Sequence, residues 1–83
     1  PDGTMLAYSE GSEHMNQAII LLTLATREKR VLTAVRDWND LLPRFSPDGK
    51  SIAFVRMFNT ARRAVHVIPA NGGEPRRVSA EFV

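Results

Sequence analysis

A tight turn between two apolar stretches, Ser46–Gly49, limits most strongly what this chain can fold into. The ring of Pro47 fixes its φ at about −65°, which suits the second position of a type I turn. The aspartate can accept hydrogen bonds from the turn backbone, and the glycine tolerates a left-handed conformation. Because Phe45 precedes the turn and Ile52 and Phe54 follow it, the segment predicts a β-hairpin.

The turn occurs twice, and the two copies are 46 residues apart. With that shift and no gap, Ile19–Leu22 aligns with Val65–Ile68, and Glu28–Thr33 aligns with Glu74–Ser79. Self-similarity at a period in the forties indicates a repeat architecture. We therefore predict a first repeat at residues 1–36 and a second at residues 37–83, together one partial domain. The turn residues are expected to be structural: Pro1, Asp2, Gly3, Pro47, Asp48 and Gly49.

Each repeat predicts strands and no helix, because aliphatic and β-branched residues recur between turn sequences. The predicted strands are Met5–Ser9, Ala18–Leu24 and Arg30–Ala34 in the first repeat, and Leu42–Ser46, Ser51–Arg56, Ala64–Pro69 and Arg76–Ala80 in the second. The first repeat lacks an opening strand, because the chain begins inside its turn. We expect another chain, the tail 80–83 or preceding sequence of a longer parent to fill that open edge. Ile52–Val55 is apolar on both strand faces, which predicts a sheet covered on both sides.

The segments Pro43–Phe54, Val65–Ile68 and Asn71–Ser79 resemble the TolB-type WD-like β-propeller repeat, and the similarity covers about 70 of the 83 residues. Phe45 stands where this family usually has tryptophan, and Thr23 and Pro69 stand where it usually has aspartate. The resemblance implies an all-β fold of antiparallel four-stranded β-propeller blades in two tandem repeats, the first lacking its innermost strand. Further blades, or several copies of the chain as a homo-oligomer, would then complete the ring.

The resemblance also implies a function, namely a non-catalytic scaffold for protein–protein interaction, with the bacterial periplasm as the favoured location. Related repeats form the gating propeller of prolyl-oligopeptidase-like serine peptidases, and this is the alternative. We predict that this chain is not itself an enzyme, because its serines lack the glycine-x-serine-x-glycine elbow. No cofactor is predicted either.

Composition argues against nucleic acid and membrane as partners, and the predicted partner is a protein or a peptide. A formal net charge of +2 is too small to indicate nucleic-acid binding. The apolar run Ala18–Leu22 is far shorter than a membrane span of about 20 residues. His14 and His66 are isolated histidines, so no metal site is predicted. His66 aligns with Ile20 and is expected at a half-exposed strand position.

In an up-and-down sheet the connections Glu10–Gln17, Val35–Leu41 and Met57–Arg63 lie at one end, where long loops on a rigid scaffold often bind partners. Aromatic and arginine side chains are enriched at interface hot spots. The predicted protein-binding residues are Trp38, Arg56, Phe58, Arg62 and Arg63. In the alternative interpretation, the two aromatic residues fill the space between blades, and the arginines are solvated or pair with Asp37 and Asp40.

Overall fold

The computed structural model describes residues 4–11, 16–33, 38–59 and 62–79. Within these ranges the protein is all-β and has no helix, as predicted. The strands are β1 (Met5–Glu10), β2 (Ala18–Thr23), β3 (Glu28–Val31), β4 (Asn39–Phe45), β5 (Ser51–Asn59), β6 (Arg62–Pro69) and β7 (Arg76–Arg77). Strands β1 to β3 form the first sheet and β4 to β7 form the second, each antiparallel with sequential neighbours paired.

The second turn has the predicted chemistry. The Gly49 amide donates to the Ser46 carbonyl at 2.9 Å, and Gly49 has a φ of 73°. The Asp48 carboxylate accepts from the Ser46 hydroxyl at 2.6 Å and from the Lys50 amide at 3.0 Å. The hydroxyl bond, followed by the amide bond, lowers the pKa of the Asp48 carboxyl. Of the predicted structural turn residues, Pro1, Asp2 and Gly3 lie outside the described residues.

The hairpin of β5 and β6 is longer than predicted. β5 runs from Ser51 to Asn59 and β6 begins at Arg62, so only residues 60 and 61 separate the two strands. The expectation of a long loop at Met57–Arg63 is therefore wrong. Polar and charged residues near the hairpin tip suggested a loop, but they continue the antiparallel ladder, in which Met57 lies opposite Arg63.

β4 also begins earlier than predicted, because a bulge lets its polar start join the sheet. Asp40 pairs with Arg56 before the bulge, and Arg44 pairs with Ala53 after it. Leu42 lies in the bulge with a φ of 55° and is 72% exposed. A bulge inserts an extra residue and bends the strand, which explains how β4 pairs on both sides of it.

The two repeats fold alike, because the same hydrogen bonds recur 46 residues apart. The amide-to-carbonyl bond from Leu24 to Thr4 recurs from Ala70 to Lys50, and the bond from Leu32 to Ile19 recurs from Val78 to Val65. The Ile19 amide donates to the Thr33 hydroxyl at 2.8 Å, and the Val65 amide donates to the Ser79 hydroxyl at 2.9 Å. The alignment found in the sequence is therefore also an alignment of backbone geometry.

The core lies between the two sheets, which pack face to face. It contains three buried side chains from the first repeat, Ile19, Leu21 and Leu32, and three from the second, Ile52, Phe54 and Ile68. At one margin the Arg30 guanidinium lies next to Gly72, whose φ is 100°, and a Cβ at that glycine would require the exposed arginine side chain to move. The backbone conformation therefore favours glycine at position 72.

The packing is head to tail, meaning that each sheet contributes a different face to the contact. Adding 46 to Ile19 and Leu21, on the packed face of the first sheet, gives Val65 and Val67. These two residues lie on the opposite side of the second sheet from Phe54, because side chains alternate along a strand. The packed face of one sheet thus corresponds to the open face of the other.

Within the described residues each sheet packs against the other with one face only. The expectation that both faces of the second sheet are covered is therefore met for the face of Ile52 and Phe54, and not for the face of Ala53 and Val55. The other faces carry large exposed apolar side chains: Leu6 is 50% exposed, Val31 60%, Leu42 72% and Val78 47%. None of the described strands pairs with the outer edge of β1. The tail 80–83, one of the predicted occupants of that edge, lies outside the described residues.

Candidate functional site

Aromatic and arginine side chains gather at the end of the second sheet where β4 begins and β5 ends. We call this group the aromatic–arginine cluster. Its members are Trp38, Phe54, Arg56, Phe58, Arg62 and His66. Trp38 directly precedes β4, and the other members alternate along β5 and β6. The hairpin register thus brings residues from three strands or their ends to one place.

A buried ion pair between Arg56 and Asp40 stabilises the cluster. The Arg56 Nε donates to Asp40 Oδ1 at 2.8 Å, and Nη2 donates to Oδ2 at 3.1 Å. The Asp40 side chain is fully buried, and that of Arg56 is 12% exposed. A two-point arginine–carboxylate contact fixes the guanidinium plane as well as its position. Arg56 therefore pairs with Asp40, one of the two acids that the alternative interpretation of the sequence named as arginine partners.

The guanidinium is held against aromatic faces on two sides. Arg56 Cζ lies 4.5 Å from the centre of the Trp38 ring and 5.5 Å from that of Phe54. Cations over aromatic rings at such distances are attracted by the ring quadrupole. The ion pair and these contacts together orient Trp38, whose ring meets that of Phe58 edge to face at 6.0 Å between centres.

Trp38 combines partial exposure with an unmet hydrogen-bond donor. Its Nε1 is buried and has no hydrogen-bond partner among the residues that the structure describes. A buried donor without an acceptor has a desolvation penalty of about 1–3 kcal/mol. Trp38 and Arg56 line a cavity of about 370 Å³ whose other walls are Leu32, Thr33 and the segment Gly73–Pro75. The cavity thus lies between the two repeats and is lined by residues of both.

The structure brings together four of the five residues predicted to bind a protein. Trp38, Arg56, Phe58 and Arg62 are in contact, with Arg62 Cζ 5.9 Å from the Phe58 ring centre. Arg63 is separated from them: it lies opposite Met57 in the ladder and so on the other face of the sheet. Asp37, the other proposed acid, lies outside the described residues.

His66 is a member of the cluster that the sequence interpretation did not include, and its predicted half-exposed position is wrong. It is 7% exposed and stacks on Phe54, with 5.7 Å between ring centres. Its aligned residue, Ile20, is also buried, at 4% exposed, although it lies on the face of the first sheet that the second sheet does not cover. Burial is the main cause that lowers the pKa of His66, assisted by the charges of Arg56 and Arg77.

Acidification should therefore destabilise the fold through His66. The unfolded chain keeps a histidine pKa near 6.5, whereas the folded pKa lies lower. Stability is thus complete above about pH 6.5 and decreases as the pH falls toward the folded value. Urea unfolding at about pH 8 and about pH 5.5 should show a lower midpoint at the acidic pH.

The matched variant for this experiment is His66→Ile, because isoleucine occupies the aligned position 20. The variant retains the other histidine, so the difference between the two pH profiles isolates His66. We expect the variant to lose most of the change between about pH 8 and about pH 5.5. An unchanged pH dependence would show that another group controls it.

Two further features are absent from the part of the chain that the structure describes. No group of three or more histidine, cysteine, aspartate or glutamate side chains there is placed to hold a metal ion. None of these residues belongs to a helix with the length and hydropathy needed to cross a membrane. The fold and site define an all-β protein with two stacked antiparallel sheets.

Comparison with protein-family models gives no match, and neither does comparison with curated proteins.

Proposed function

We propose that this chain forms two adjacent blades of a β-propeller and acts as a non-catalytic scaffold for protein–protein interaction, similar to TolB-type proteins. The head-to-tail packing of two equivalent sheets is the observation that carries the proposal. Propellers are built by radial repetition of four-stranded sheets around an axis. Such repetition requires that each unit present one face to the unit before it and the other face to the unit after it.

The number and order of the strands in each sheet support the same proposal. The second sheet has four antiparallel strands in sequential order, β4 to β7, as a blade requires. The first has three, β1 to β3, which align with β5 to β7 by the shift of 46 residues. Its missing member would correspond to β4, the innermost strand in this proposal.

The partner-binding surface is proposed at the outer part of the aromatic–arginine cluster, formed by Trp38, Phe58 and Arg62. Trp38 and Phe58 are half-buried and Arg62 is exposed, so a partner can contact all three. Arg56 is the support and not a contact, because its guanidinium is committed to Asp40. The Arg62 charge favours an acid, and the exposed parts of the two aromatic rings favour an apolar side chain. An acidic peptide segment with an apolar residue fits these groups.

Selection from a random peptide library on the purified chain tests this surface. We expect enriched peptides to be acidic and to carry an apolar residue. Trp38→Ala and Arg62→Glu should each weaken their binding at least about tenfold, since aromatic and arginine residues dominate interface energies. Thermal unfolding of the same variants separates binding from packing.

Arg44→Glu is the matched control, because Arg44 is exposed on β4 and lies opposite Ala53, on the other face of the sheet from Phe58 and Arg62. It makes the same charge change as Arg62→Glu and should leave peptide affinity within about twofold. The proposal is wrong if Trp38→Ala lowers the melting temperature while the affinity stays the same. It is also wrong if the library yields no peptide that distinguishes Arg62→Glu from Arg44→Glu.

A further inference from the structure

The two uncovered sheet faces of this chain are counterparts of the two faces that already pack together. The first sheet is uncovered on the side of Leu6, Tyr8 and Leu22, and we call this face A. The second sheet is uncovered on the side of Ala53, Val65 and Val67, and we call this face B.

Exposure at aligned positions shows the correspondence directly. Ile52 is fully buried between the sheets, whereas its counterpart on face A, Leu6, is 50% exposed. Leu32 is 9% exposed between the sheets, whereas its counterpart on face B, Val78, is 47% exposed. Side chains of the same apolar character are thus covered in one repeat and open in the other.

From this correspondence we propose that face B of one copy of this chain binds face A of a second copy, head to tail. A second copy is the occupant because it carries a face of each kind, and the contact continues the packing already present between the first and second sheets. The inference rests on the same stacking as the proposed function, but it names the partner of the sheet faces and not that of the aromatic–arginine cluster.

The surface details of the two faces are compatible with this contact. Face B contains a groove of about 240 Å³ lined by Leu42, Arg44, Ala53, Phe54, Val55 and Val65. The bulge presents Leu42 at this groove with 72% of its surface exposed. Exposed apolar surface that adjoins a groove is typical of an interaction site.

Face A carries one polar feature that docking must displace. Lys29 Nζ lies 3.4 Å from Glu10 Oε1, and the bridge reaches from β3 to β1 across β2. Ile20 lies on β2 between them and is only 4% exposed. Because the pair itself is more than half exposed on the lysine side, its loss has a small cost. Ile20 would then become available to the incoming face B.

The contact is heterologous, so it forms closed rings or open chains of copies. Propellers have about four to eight blades, so a ring would contain about two to four copies of this two-sheet chain. We therefore expect the purified 83-residue chain to associate in a concentration-dependent way. Light scattering should show a mass that stops rising at a small multiple of the 9.3 kDa chain.

Two variants test the direction of the contact. Leu6→Asp with Val31→Asp blocks face A, and Leu42→Asp with Val78→Asp blocks face B, all four being exposed positions. Each variant alone should be monomeric, while an equimolar mixture should form a heterodimer through the two intact faces. The added charges are negative in both variants, so attraction between them cannot produce the mixture's association.

A wild-type chain that stays monomeric up to its solubility limit would overturn the inference. So would a face-A variant that still dimerises, because face B would then bind itself. The peptide affinity measured at Trp38 serves as the independent readout, since none of the four positions belongs to the aromatic–arginine cluster. If the wild-type chain is monomeric but still binds the peptide, the self-association proposal is wrong and the binding surface stands. If the two variants form heterodimers but no peptide binds, the binding surface is wrong and the self-association proposal stands.

Discussion

Replacing Asp40 by alanine is expected to lower the free energy of unfolding by about 3–5 kcal/mol, because it leaves the Arg56 charge buried without its partner. The side chains are 0% and 12% exposed respectively, so water cannot replace the lost carboxylate without opening the site. A small domain has a total stability of only about 5–15 kcal/mol, so the loss would be a large fraction of the total. Urea titration followed by tryptophan fluorescence measures the loss, since Trp38 is the only tryptophan.

Two further variants separate the ion pair from a general sensitivity to lost carboxylates. Glu10→Ala removes an acid whose bridge to Lys29 is half exposed, and it should change stability little. Asp40→Leu combined with Arg56→Met replaces both buried charges by apolar groups and should recover most of the lost stability. If Asp40→Ala proved as mild as Glu10→Ala, the pair would not be the support that its geometry indicates.

Replacing Phe54 by alanine should have a comparable effect, about 3–5 kcal/mol, because it leaves a cavity at the centre of the contact between the sheets. Phe54 is 1% exposed, and it stacks on His66. The same urea titration should show a lower midpoint, and the Trp38 emission of the folded variant should shift as the cluster rearranges.

Tyr8→Ala is the matched control for this variant, because Tyr8 aligns with Phe54 in the first repeat. Tyr8 lies on face A and is half-buried, so its truncation should cost clearly less. Equal losses at positions 8 and 54 would contradict the difference in coverage between the two faces.

The strand order and the second turn could be predicted because they depend on local signals. Pro47, Asp48 and Gly49 have conformational and hydrogen-bonding properties that point to one turn type, and Gly49 has the expected positive φ. The repeat supplied a second copy of every strand except β4, so weak apolar periodicity in one copy was supported by the other. The sheet membership of all seven described strands follows from that combination.

The bulge and the burial of the ion pair could not be predicted in the same way. Whether Asp40 reaches Arg56 depends on the register of β4 against β5, and one extra residue at Leu42 changes that register. The sequence Leu41–Arg44 contains no glycine, the residue that most readily adopts the positive φ found at Leu42. The sequence could therefore suggest that arginines pair with Asp40, but it could not favour this over arginines that are solvated or bind a partner.

Solvent exposure shows a related limit of the alignment between repeats. His66 and its aligned residue, Ile20, are both buried, at 7% and 4% exposed, although only the second repeat has a neighbouring sheet on that side. Ile52 is fully buried, whereas its aligned residue, Leu6, is 50% exposed. An alignment between repeats thus transfers backbone geometry reliably, whereas it transfers solvent exposure at some positions and not at others.

The different identities of the two packed faces give the stack a polarity. A unit of this kind can be added at either end, but only in one orientation, because a reversed unit would bring two like faces together. A tandem duplication of the coding sequence produces that orientation automatically, since every new unit has the same direction along the chain. Lengthening by duplication would therefore require no new interface, and substitutions on one face would be constrained by the facing positions of the next unit.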